Sequence, residues 1–287
     1  MLLLRLLPVI AVAALVAVAT VLAGGPPGAA AGSERLPDLD QAAPSRLVIT
    51  HAGSAAEPVY RLGFRSAVAN VGAGALVIEA QRPGPGSDTM VADQLVERDG
   101  SPRELVPGVG RLRFVVSPDH RHWHLLAFER YALRRAGGRH ALVRDKKTGF
   151  CLGDRYAARR PLPAAPPRPV HTTRCGLGEP GLLGIREGIS VGYGDDYPAT
   201  LEGQYLPLTG LRAGRYVLVH RVNAGRRLRE LSYGNNAASL LLELSRRGGD
   251  PAVRVLARCP RTALCDRRLS GASETHSATA VAAQPDG

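Results

Sequence analysis

The chain has 287 residues, of which 22% are charged and only 5% aromatic, and its formal net charge is +12. That length is enough for one sizeable domain with its own core. The positive residues are mostly scattered arginines, as in "YALRRAGGRH" and "NAGRRLRE". No helical pattern gathers them and aromatics do not alternate with them, so nucleic-acid binding is not expected. Attraction to an anionic cell-wall or extracellular polymer is.

The opening "MLLLRLLPVIAVAALVAVATVLAGG" puts Arg5 ahead of a long apolar run, with small residues after it. This is a secretory signal pattern, with cleavage expected after Ala23 or Ala31. Retained, the same run would anchor the chain at the outer face of the membrane. Residues 1–31 are therefore read as signal peptide or N-terminal anchor. The Gly-, Ala- and Pro-rich stretch that follows, 32–45, is read as a linker. From there short β-type runs recur: "RLVIT", "YRLGFRSAVANVG", "ALVIEAQ", "MVADQLVERDG", "RLRFVVS", "HWHLLAFERYALR", "GRYVLVHRVN" and "AASLLLELS". Many short strands between turn residues predict an all-β, sandwich-like single domain over 46–265, with long loops and few helices.

Residues 159–175, "RRPLPAAPPRPVHTTRC", are too rich in proline for a central strand. They read as a long excursion held at its base by a Cys151–Cys175 disulfide. Cys259 and Cys265 are expected to form the second bond, because each pairing closes a local loop in an exported chain. The stretch 266–287 is small and polar and is expected to be disordered.

Within "DHRHWH", His120, His122 and His124 occupy alternate positions beside the chain's only tryptophan, Trp123. Alternation along a strand would place the three imidazoles on one face and Trp123 on the other. Three stacked imidazoles crowd one another unless something binds them, so they are read as metal ligands. On a flat strand His120 and His124 would lie about 13 Å apart. The segment must therefore bend, and Pro118–Asp119 marks the place. An all-imidazole set suits zinc, copper, iron or nickel, and the cluster alone does not choose.

The "HRHWH" segment resembles the copper motif of the lysyl oxidases. Three further blocks are similar to that family in the same order. They are "KTGFCLGD" (147–154), "GISVGYGDDYPATLEGQYLPLTGLRAGRYVL" (188–218) and "LSYGNNAASL" (231–240). The resemblance covers roughly residues 105–245. It implies a secreted copper amine oxidase that converts primary amines, foremost peptidyl lysine, to aldehydes, consuming oxygen and releasing ammonia and hydrogen peroxide. It also implies a lysine tyrosylquinone cofactor built from Lys147 and Tyr197, with Asp195 as the candidate base. Lys146 and Tyr193 are the neighbouring alternatives, Tyr193 lacking a preceding aspartate. Lys147 is expected to be partly buried on the metal side, because the reaction needs its amine uncharged. Two other readings stay open on the residues alone. One is a non-catalytic exported copper-binding module, and the other is a zinc hydrolase on the same histidines.

Overall fold

In a computed structural model of the chain, residues 33–54, 57–118, 120–144, 149–158, 161–201, 203–265 and 277–278 are described. The strands in chain order are β1 (Glu34–Arg35), β2 (Leu39–Gln41), β3 (Ser45–Gly53), β4 (Pro58–Asn70), β5 (Leu76–Gln81), β6 (Thr89–Arg98), β7 (Ser101–Val116), β8 (Arg121–Leu126), β9 (Glu129–Arg135) and β10 (Ala141–Arg144). They continue as β11 (Gly149–Phe150), β12 (Tyr156–Ala157), β13 (Gly184–Ile189), β14 (Tyr193–Tyr197), β15 (Tyr205–Pro207), β16 (Gly214–Val222), β17 (Ala237–Arg247), β18 (Asp250–Cys259) and β19 (Ser277–Ala278). There is no helix among the described residues, and none of them forms a helix long and apolar enough to cross a membrane. The fold is all-β, as the turn-bounded runs predict.

Three antiparallel sheets share one core. The first runs β11-β8-β7-β6-β5-β13, with β1 on β6, and the second runs β10-β9-β16-β17-β18-β19. The third runs β12-β14-β4-β15, with β2 and β3 also on β4. Period-2 alternation decides which side chains enter the core. On β4, Leu62, Phe64 and Val68 face inward, on β5 Leu76 and Ile78, and on β17 Leu240, Leu242 and Leu244. Strand β16 is apolar on both faces. Tyr216, Leu218 and Val222 enter the main core. Val217 and Val219 pack outward under the Cys259–Cys265 loop, with Leu241 and Ala257. That is why "YVLV" reads as a continuous run and not as an alternation.

Two expectations are corrected. The stretch 32–45 is not a linker throughout. β1 pairs with β6 and β2 with β4, and Leu39 is fully buried. The run "HWHLLAFERYALR" is not one strand either. The chain leaves the first sheet at Leu126 and enters the second at Glu129, turning at Ala127, whose φ is +60°. A left-handed alanine is uncommon, and it allows two consecutive strands to join different sheets. Residues 1–31, expected to be a signal peptide or anchor, lie outside the described residues, as does the stretch 266–287 apart from β19.

Both disulfides form as expected, Cys151–Cys175 with a Cα separation of 5.7 Å and Cys259–Cys265 with 5.5 Å. The first closes the Pro-rich excursion, and loop closure of that length is worth about 3–4 kcal/mol in the chain-entropy picture. Inside the closed loop Asp154 supplies the missing hydrogen bonds. Its carboxylate accepts from the backbone N–H groups of Val170, His171 and Ser190 and from the Ser190 hydroxyl.

Candidate metal centre and tyrosine site

The histidines converge because a tight hairpin joins β7 to β8. Ser117 N–H donates to the His120 carbonyl at 2.7 Å and His120 N–H returns to Ser117 at 3.2 Å. His120 therefore sits at the turn, just before β8, and not on a flat strand. This is the bend the 13 Å separation required. His120 and His124 are buried and His122 half-buried. One donor nitrogen from each ring lies within 4.8 Å of the other two, and His120 Nδ1 is 3.5 Å from His122 Nε2. Bonds of about 2.0 Å at tetrahedral angles would place donor nitrogens about 3.3 Å apart, so small ring rotations suffice to enclose one ion. The residues present fit a metal.

Trp123 points the other way, as alternation requires. It is 1% exposed, meets Phe114 edge-on, and donates its indole N–H to the Glu179 carbonyl at 3.1 Å. Its backbone N–H donates to the carbonyl of Cys175. The histidine strand is thus fixed from behind by the disulfide-closed loop.

On β14, Tyr193, Asp195 and Tyr197 share one face and Asp196 takes the other. Asp196 pairs with Arg65 at 2.6 Å, while Asp195 and Tyr197 stand opposite Val68 and Ser66, whose side chains are buried. The Tyr197 hydroxyl is held by one residue twice. It donates to the Cys151 carbonyl and accepts from the Cys151 N–H, both at 2.9 Å. Its ring lies edge-to-face on Phe150 at 4.8 Å. Burial pushes its pKa well up, and the neighbouring Asp195 adds to this. Tyr193, the alternative, instead donates its hydroxyl to Pro166 in the Pro-rich excursion.

Asp195 is 3% exposed. Burial, set against the Arg155 guanidinium 3.8 Å away, raises its pKa well above the usual carboxylate range. Its Oδ2 accepts no hydrogen bond from the described residues. Lys146 and Lys147 lie outside the described residues, and so does the expected burial of Lys147. The segment just after them is described. Gly149 and Phe150 pair with Leu126 and Leu125 on the histidine strand, and Phe150 and Cys151 hold Tyr197. A Cβ on Gly149 would stand 2.8 Å from His124 Cβ and 2.9 Å from the Leu125 carbonyl. Gly149→Val should therefore push β11 off β8 and cost about 1–3 kcal/mol in a urea titration.

Two buried groups escaped the sequence reading. Glu187, fully buried, lies behind the disulfide, with Oε2 3.1 Å from Cys175 Sγ and accepting from Leu152 N–H at 3.3 Å. The cluster of Cys151, Cys175 and Glu187 is not a thiolate metal site, because both sulfurs are bonded to each other. A disulfide has no proton to give, so the 3.1 Å contact suits a protonated Glu187 donating to sulfur. Burial accordingly drives the Glu187 pKa well up. The sign for stability follows. The unfolded carboxyl ionises near pH 4.3 while the folded one stays protonated, so stability falls as pH rises from there toward the raised folded value. Glu187→Gln should flatten that decline, by up to about 1.4 kcal/mol per pH unit inside the window, in denaturation midpoints measured from pH 4 upward. An unchanged slope would show that Glu187 is ionised in the fold.

The second is a network one aromatic ring away from Tyr197. The Glu129 carboxylate accepts from the Tyr131 hydroxyl at 2.7 Å and from His220 Nε2 at 2.9 Å, and His220 Nδ1 meets Gln41 Nε2 at 2.9 Å. Tyr131 lies 6.4 Å from Phe150, centroid to centroid. The signal was present in "FERYAL" and "YVLVHRV", where a charged or titratable residue stands at an inward position of an apolar strand.

No curated protein sequence matches the chain. The family model for lysyl oxidase matches residues 96–248, more than half of the chain, and spans the three histidines, the 147–154 block, Asp195 and Tyr197. With the ordered motifs and the all-β fold in agreement, the chain belongs to the lysyl oxidase family.

Proposed function

We propose that this oxidoreductase is an exported copper amine oxidase acting on a primary amine, foremost a peptidyl lysine, and releasing the aldehyde, ammonia and hydrogen peroxide. The observation that carries the reading is the Gly149–Cys151 segment. It pairs with the histidine strand on one side and holds Tyr197 on the other. Lys147 is two residues from Gly149, a span of at most about 7 Å. Copper on His120, His122 and His124 would supply the oxidising chemistry that joins Tyr197 to Lys147 as lysine tyrosylquinone, the carbonyl and electron sink of amine oxidation. The two disulfides fit the oxidising compartment an exported enzyme meets.

The chain's own groups take defined parts. The Cys151 peptide holds the Tyr197 oxygen, and Phe150 fixes the plane of its ring. Phe150 and the buried wall beneath it keep water from one face. Asp195, on the same strand face two residues away, takes a proton from the substrate carbon. Only ionised Asp195 can do so. Because its pKa is raised, amine oxidation should climb with pH through that value, and Asp195→Asn should abolish the climb together with at least about 10²-fold of the rate.

The deciding experiment is peptide mapping of copper-loaded, full-length protein alongside a peroxide-release assay. A cross-linked peptide containing Lys147 and Tyr197 in active protein supports the oxidase. Both residues recovered unmodified from active protein refute the residue assignment. Both unmodified in inactive, copper-loaded protein would favour a copper-binding module.

A further inference from the structure

The outer face of the second sheet carries a groove of about 590 Å³ lined by several arginines. Its lining includes Arg134, Arg139, Arg144 and Arg221. Among the described residues the lining contains no carboxylate and no aromatic ring. Strand register explains the convergence. Arg144, Ala132 and Val219 stand in one row across β10, β9 and β16, and Arg134 and Arg221 lie two positions from that row on the same face. Ala132 and Val219 lie on its floor, and Ala263, Leu264 and Cys265 of the Cys259–Cys265 loop form one wall.

Several arginines elsewhere find carboxylates. Arg98 and Arg229 share Glu34 and Glu104, Arg65 meets Asp196, Arg186 meets Glu79 and Arg254 meets Glu243. None of the four groove arginines has such a partner among the described residues. Asp145 and Asp266, which follow Arg144 and Cys265 in sequence, lie outside those residues.

One of the four is held in place. The Arg134 guanidinium donates to the Gly138 carbonyl and, at 2.8 Å, to the Ala263 carbonyl. It ties the β9–β10 hairpin to the disulfide loop and leaves the groove open between them. Burial lowers the pKa of Arg221, and repulsion from Arg134 lowers it further. Like charges crowded without a counter-charge are unfavourable until an external anion supplies it.

The geometry points to a binding site for a flexible polymer carrying repeated phosphate groups. Guanidinium forks match phosphate oxygens in pairs. Four of them along one groove exceed what a single phosphate can engage. No aromatic ring among the described lining residues offers bases a platform to stack on, which sets the groove apart from a single-stranded nucleic-acid site. The inference does not depend on the proposed oxidase activity, since binding needs neither copper nor a quinone.

The test is binding of full-length protein to long-chain inorganic polyphosphate across a salt series. It compares the parent with a variant carrying Arg139→Ser, Arg144→Ser and Arg221→Gln. Arg134 is left intact because it holds the fold, and an unchanged thermal midpoint confirms that the variant is folded. The parent should bind, and the variant should bind at least about 30-fold more weakly. The slope of log K against log salt should shrink by about two to three, because fewer counterions are released. Inorganic phosphate alone should compete only weakly. A variant within threefold of the parent and with the same salt slope would overturn the site. So would equally tight, equally arginine-dependent binding of polygalacturonate, a carboxylate polymer, or of a DNA duplex.

Discussion

Tyr197→Phe should leave the protein folded and able to take up copper, yet without quinone and without amine oxidation. The substitution removes one oxygen and keeps the ring on Phe150. It sacrifices the two hydrogen bonds to the Cys151 peptide. Leaving that peptide's N–H and carbonyl unsatisfied costs about 1–3 kcal/mol. The loss in rate should exceed about 10³-fold, because the reactive carbonyl can no longer be made. His122→Ala separates the two requirements. It should lose copper uptake and, with it, quinone formation. Copper stoichiometry, redox-cycling stain and peroxide release on the two variants therefore give two different patterns. If Tyr197→Phe retains stain and rate, another tyrosine is used. Tyr193 is then the first to examine, although its hydroxyl is engaged with Pro166.

What the sequence revealed of this site was its local part. The spacing of His120, His122 and His124 fixes their common face, and short loops fix both disulfides. Neither needs knowledge of a distant segment. The hairpin turn that draws His120 inward could be required from strand geometry, but its hydrogen bonds could not be drawn. The contact of Tyr197 with Cys151 spans 46 residues and depends on sheet order, which no local pattern encodes. The resemblance to a family implied only that Lys147 and Tyr197 meet, and not this contact. The same limit explains β1 and β2. "ERLPDLDQ" has a linker's composition, yet it pairs with strands 27 to 64 residues away. The break at Ala127 was invisible because a left-handed turn is usually signalled by Gly, Asn or Asp and seldom by alanine.

The Glu129–His220 pair should cost less to remove as a whole than the sum of its two single removals. Both side chains are almost wholly excluded from water, at 2% and 0% exposure. The Gln41 amide donates to His220 Nδ1 and the imidazole donates from Nε2 to Glu129, so the network assigns a neutral ring. His220→Leu would then leave a buried carboxylate with Tyr131 as its remaining donor in the network. Because the ring is a neutral donor, what is lost is a hydrogen bond to a buried charged group, about 1.5–3 kcal/mol. Glu129→Met would leave only neutral donors unsatisfied, about 1–3 kcal/mol. The double variant replaces polar groups by apolar ones of similar volume, so it should be more stable than the sum of the two single losses by at least about 1 kcal/mol. Urea unfolding of the three variants measures this. Simple additivity would show that the pair does not act as a unit. Glu129 also raises the pKa of both Asp195 and Tyr197 through space. Its removal should therefore shift the rising limb of the pH–rate profile to lower pH, a change that loss of packing alone does not produce.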